Sequence, residues 1–158
     1  MKVNSRIAIL FLITASIFIF PVLGEQVQLT NDEKSFLSDM VSEGIPLLYQ
    51  IPEAMDTGVY FGKDTAISDI AAKESDLLNK FTTNISTYSL GTDASALRSS
   101  YLKSVDLAKT DLNKYSTLVP GCGSCITEMN NMYPELVKSA NEANLELIKF
   151  YQKNQVSL

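Results

Sequence analysis

The chain has only two cysteines, and they stand three residues apart in Pro120-Gly121-Cys122-Gly123-Ser124-Cys125, just ahead of an expected helix start. Two chemistries suit that spacing. In an oxidising compartment the thiols close on each other and pin the turn between two helices. Alternatively, a thiolate at a helix N-terminus is stabilised by the dipole and the unpaired N–H groups there. Such a thiolate can enter thiol–disulfide exchange. As a staple across four residues the bond contributes about 2 kcal/mol in the chain-entropy estimate.

The spacing resembles the C-x-x-C of thioredoxin-like oxidoreductases, over four residues and with no implied fold; the resemblance implies Cys122 as the attacking thiol and Cys125 as the resolving one. A thioredoxin-like pair follows a β-strand in a βαβ unit, whereas a long helical pattern precedes Cys122, and no cis-proline loop can be assigned opposite it. A structural disulfide between Cys122 and Cys125 is therefore the expectation, with the redox pair as its alternative. Cofactor chemistry finds little support. Ile126 follows Cys125, so the C-x-x-C-H of covalent haem attachment fails. A four-thiolate zinc site would need a second chain. The sequence contains no histidine, which closes His-based catalysis and the Glu-x-x-His ligands of di-iron bundles. No cofactor, no metal site and no catalytic residue are expected.

Among other polar groups, Glu135, Glu142 and Glu146 alternate with Lys138, Lys149 and Lys153, the pattern of a solvated helix face. Asp39 and Glu43 make a small acidic patch that lacks the Asp-x-Asp-x-Asp-Gly loop of a calcium site. Asn84-Ile85-Ser86 matches the N-glycosylation sequon, with Asn84 on or beside a buried stripe. Tyr88, Tyr101 and Tyr115 fall on core stripes. Tyr49, Tyr60 and Phe61 sit near prolines that splay helices apart, and a candidate apolar pocket is placed there.

These residues are carried by a chain of 158 residues whose start is distinctive. Lys2 and Arg6 precede an apolar run from Ile7 to Phe20, followed by Pro21-Val22-Leu23-Gly24. This reads as a signal peptide over residues 1–24, cleaved before Glu25, with an uncleaved membrane anchor as the alternative. Either form places the body outside the cytoplasm: secreted, periplasmic or on the outer cell surface. The net charge is −5, and loss of Lys2 and Arg6 makes it more negative still. No Lys/Arg cluster remains, so nucleic acid is excluded as a partner, and a membrane is one only if the leader is retained.

Four amphipathic helices are expected in residues 25–158, read as a single domain. The first starts at Asn31 as N-cap, carries Phe36, Leu37, Met40 and Val41, and ends at Asp56-Thr57-Gly58, with a kink or break at Pro46 and another at Pro52. The second runs from Asp64 to about Ser89. The third, capped by Thr92 or Asp93, has the cleanest seam: Ala94, Leu97, Tyr101, Val105, Ala108, Leu112, Tyr115 and Val119. A separate helical turn is expected over Ser124 to Asn131, then a long helix from Tyr133 to Gln155 opened by Pro134. The fold class is all-α: an antiparallel four-helix bundle, up-down-up-down, with its first helix kinked or broken by prolines. The expected function is that of a non-enzymatic binding or interaction module for a protein or a small apolar ligand. The alternatives are a thiol–disulfide exchange protein and a membrane-tethered structural or assembly factor.

Overall fold

The computed structural model describes residues 28–61 and 64–156, with backbone alone at 61, 64 and 65, so the leader expected over residues 1–24 lies outside the described residues. Helix α1 (Asn31–Asp39), a π-helical turn (Met40–Gly44) and α2 (Ile45–Phe61) follow one another without a gap and make the first rod of the bundle. The other three rods are α3 (Asp64–Ser86), α4 (Thr92–Tyr115) and α5 (Gly123–Asn154). No strand occurs among the described residues.

Hydrogen bonds between rods fix their directions. Asp32 accepts from Ser89 N–H and Asp39 from the Asn84 amide, while Gln50 donates to Glu74, so α3 runs antiparallel to the first rod. Tyr49 reaches Asn141 and Tyr60 reaches Asn130, so α5 also runs antiparallel to it. Lys153 pairs with Asp93, and the Ser104 hydroxyl donates to Ser139 O, which sets α4 against α5 in the same sense. Across the diagonal, Tyr101 meets Gly44 and Tyr115 meets Gly58, both pairs ascending together. The arrangement is the up-down-up-down bundle.

Its core draws on every rod, with Phe36, Ile51, Leu78, Tyr101, Leu112 and Met129 essentially inaccessible to solvent. Phe81 and Tyr101 pack edge to face, centroids 5.4 Å apart, which suits the positive ring edge to the negative ring face. The seam expected on the third helix holds from Ala94 to Tyr115 and then fails. The helix stops at Tyr115, the phase of the stripe is lost, and Val119 is 54% exposed while Leu118 is buried.

The capping chemistry differs from expectation at two starts. Thr30, not Asn31, caps α1: its hydroxyl accepts from Glu33 N–H, and Glu33 accepts from Thr30 N–H in return, a closed capping box. Helix α4 is capped by Gly91 with no side-chain bond, in place of Thr92 or Asp93; the Gly91 N–H donates to Glu33, across the bundle end.

Prolines act more gently than the sequence suggested. The rod does not break at Pro46. Instead a π turn lies immediately ahead of it, with Ile45 N–H donating to Met40 O five residues back. A proline ring crowds the carbonyl four residues behind it, and one extra residue in the preceding turn widens the ladder where that crowding falls. Gly44 is needed in this turn, since a Cβ there would sit 2.6 Å from Phe81 Cζ. The Tyr101 hydroxyl donates to the Gly44 carbonyl at 3.1 Å, a buried tie from the opposite corner. Pro52 and Pro134 lie inside α2 and α5 without interrupting either. Helix α2 also passes Gly58 to reach Phe61, and α5 is one helix from Gly123 rather than a turn followed by a second start at Tyr133.

Candidate functional site

The two cysteines form a disulfide, Cα–Cα 5.2 Å, at the entrance to α5. Gly121 makes the preceding turn with φ +74°, a left-handed conformation that glycine adopts without cost. Cys122 is then the N-cap of α5, with extended backbone. Its Sγ takes the role an Asp or Ser oxygen usually plays at this position, accepting the Cys125 N–H at 3.0 Å. The Ser124 hydroxyl lies 3.4 Å from the same sulfur. Val119 N–H points at Cys125 Sγ from 3.3 Å, and Gly121 N–H donates to Val59 O, tying the turn to α2. The two sulfurs differ in access: Cys125 is buried, Cys122 half-buried. Glycines flank Cys122 on both sides, and a Cβ placed on either would meet no atom within 4 Å.

Of the aromatic residues expected to make a pocket, Tyr49 and Tyr60 both face α5, at different levels of it. Tyr49 is half-buried and its hydroxyl donates to Asn141 at 2.6 Å. Burial pushes the Tyr49 phenol above its ordinary range, against the opposing pull of the Asn144 amide. Tyr60, three turns further along α2, is 46% exposed and reaches Asn130 at 3.4 Å. The side chain of Phe61 lies outside the described residues. Asn84 is exposed at the edge of the stripe, next to buried Ile85, and its amide nitrogen donates to Asp39 at 2.9 Å. Asp39 also accepts the Tyr88 hydroxyl at 2.7 Å, so Asp39 of the acidic patch serves as a helix-to-helix tie, while Glu43 is exposed.

A feature missed in the sequence lies on the outer face of α5. Tyr133, Pro134, Val137, Lys138, Asn141, Glu142 and Leu145 line an open hollow of about 510 Å³. Positions 133, 137, 141 and 145 recur at steps of four, so this second stripe was present in the spacing. It was masked because Val137 reads equally well as a neighbour of the core residue Leu136. Leu145 is 49% exposed. A smaller hollow of about 330 Å³ lies between the α4 start and the α5 end, lined by charged groups such as Asp93, Glu146 and Lys153 as well as Leu97 and Phe150.

Two buried carboxylates also went unremarked. Glu74 accepts both contacts from the Gln50 amide, and Asp111 pairs with Lys114 at 3.3 Å. Asp111 is satisfied through Oδ1 alone, its buried Oδ2 having no hydrogen-bond partner. Glu142 and Glu146 pair with Lys138 and Lys149 along the surface, as a solvated face does. Among the described residues no group of three or more Asp, Glu or Cys side chains is placed to hold a metal ion, and no helix is long and apolar enough to cross a membrane. Comparison with protein-family models, with curated proteins and with solved structures finds no match to this chain.

Proposed function

We propose that the protein is a binding module acting outside the cytoplasm, and that the outer face of α5 receives a helix of a protein partner. The observation that carries this reading is the open stripe of Pro134, Val137 and Leu145, set on a helix whose opposite face is already committed to the core. Small-molecule sites enclose most of their ligand. A hollow lined by a single helix touches its occupant from one side only, which suits an amphipathic helix laid along an i, i+4 groove. Lys138 and Glu142 border the stripe and supply one charge of each sign at the rim. The apolar leader supports the location, as does a disulfide closed between the only two cysteines.

A photo-crosslinking side chain at the exposed position 138, in the full chain expressed in its native host, tests the contact. The expected result is a discrete protein adduct that disappears in Leu145→Glu while the melting temperature stays unchanged. An adduct pattern indifferent to Leu145→Glu, or adducts to lipid alone, would overturn the reading. Mass spectrometry of the same material tests the leader: an N-terminus at Glu25 means release, and an intact Met1 terminus means a membrane-tethered form.

A further inference from the structure

We infer that the Cys122–Cys125 disulfide is an exchange site for dithiol substrates, with Cys122 Sγ the atom attacked and Cys125 Sγ the internal leaving group. This activity is independent of the α5 stripe. Three observations favour it over an inert staple. The first is asymmetry of access: Cys125 is buried, whereas Cys122 stands half-open between two glycines, at each of which an added Cβ would meet nothing beyond its chain neighbours within 4 Å. The second is that each sulfur already has a donor for the charge it would carry once the bond opens. Cys122 Sγ has the Cys125 N–H at 3.0 Å and the Ser124 hydroxyl at 3.4 Å; Cys125 Sγ has the Val119 N–H at 3.3 Å. An ionised acceptor strengthens such bonds roughly twofold over neutral ones. The third is the surroundings. The turn itself is uncharged, with no Asp, Glu, Lys or Arg in the sequence between Lys114 and Glu128, and Val119 is exposed beside it.

The chemistry balances without a metal or cofactor. A substrate thiolate attacks Cys122 Sγ, forming a mixed disulfide, and the Cys122–Cys125 bond breaks with its electron pair on Cys125, which then takes a proton from water. The second substrate thiolate attacks the substrate's own sulfur, and Cys122 leaves as a thiolate held by the N–H of Cys125. The substrate dithiol is oxidised by two electrons to a disulfide, and the protein pair is reduced to two thiols. A small disulfide such as oxidised glutathione re-forms the pair by the same two exchanges.

The test uses the full chain after reduction, with site-resolved alkylation by iodoacetamide from pH 4 to 10. Cys122 is expected to titrate below the ordinary thiol value of about 8.5, and to react at least tenfold faster than Cys125 at pH 7. In Cys125→Ser, oxidised glutathione should leave a stable mixed disulfide on Cys122; in Cys122→Ser it should leave little or none on Cys125. The oxidised wild-type chain should convert a two-cysteine peptide to its disulfide, and Cys122→Ser should not. Equal alkylation rates, or a Cys122 midpoint at or above about 8.5, would overturn the proposal. The alkylation arm needs no variant, so it stands even if Cys125→Ser folds poorly.

Discussion

Two buried tyrosines of α4 make opposite demands on their hydroxyls. Tyr101 donates to the Gly44 carbonyl, whereas the Tyr115 hydroxyl is buried against Gly58 with no hydrogen-bond partner. Leaving a buried polar group unpaired costs about 1–3 kcal/mol, while a satisfied bond contributes about 1. Tyr101→Phe is therefore expected to lose about 1 kcal/mol in urea unfolding, and Tyr115→Phe to be neutral or stabilising. Gly58→Ala should be severely destabilising, because its Cβ would overlap the Tyr115 hydroxyl, and Tyr115→Phe should recover much of the loss. Alkaline pH separates the residues in another way. Burial, with a smaller contribution from Asp56, pushes the Tyr115 phenol up to about 12; burial alone does the same for Tyr151. In the unfolded chain both ionise near about 10. The folded state keeps its protons longer, so the stability from these neutral phenols is complete below about 10 and is lost as pH rises through about 12. Melting temperatures from pH 8 to 12 should fall in that window, and less steeply in Tyr115→Phe.

At the scale of the element, chain ends and prolines decide how each rod begins and bends. Thr30 and Glu33 satisfy each other's N–H groups at the start of α1, and Glu33 also holds the Gly91 N–H at the start of α4. Thr30→Ala should cost about 1 kcal/mol, and Glu33→Ala more, because it releases donors on two helices; chemical denaturation of both variants checks the order. The four rods were legible in apolar spacing, because periodicity reports the buried face wherever a helix lasts several turns, and their alternating directions followed from the short turns between them. What was not legible depended on events across the bundle. The cap of α1 is the exception: Asn31 and Thr30 are both good caps, and the local T-x-x-E box of Thr30 and Glu33, present in the sequence, selects Thr30. Pro46 signalled a break, yet the chain absorbed it in a π turn whose glycine lets Phe81 approach and whose carbonyl Tyr101 caps. Pro134 sits exposed inside α5, where a proline lacks one ladder bond and crowds Asn130 O. Replacing it by alanine should raise stability by about 1–3 kcal/mol, which thermal and urea unfolding would show. The cysteine pair was legible as a disulfide from spacing alone. Its unequal exposure was not, because that follows from where Val119 and Gly121 fold over the end of α2.

Across the whole molecule, the two candidate sites share one helix but lie at different levels of the bundle. Cys122 caps the first turn of α5, and Leu145 stands more than twenty residues further on, roughly 30 Å along the axis at 1.5 Å per residue. Sites this far apart with no shared partner have additive effects, within about 0.5 kcal/mol. Leu145 is half-exposed, so Leu145→Glu should shift stability by no more than about 0.5 kcal/mol. Replacing both cysteines by serine should cost about 2 kcal/mol through the lost four-residue closure. The combined variant should show the sum. The functional readouts should separate as cleanly: partner crosslinking at position 138 should vanish with Leu145→Glu and survive loss of the disulfide, while peptide oxidation should do the reverse. A core substitution sets the contrast. Leu112 is fully buried among residues from all the rods, so Leu112→Ala should cost about 2–5 kcal/mol and weaken both readouts together on heating. Were Leu145→Glu to slow peptide oxidation at a temperature where the bundle is intact, the stripe and the disulfide would have to be one site, with a substrate long enough to lie along α5 between them.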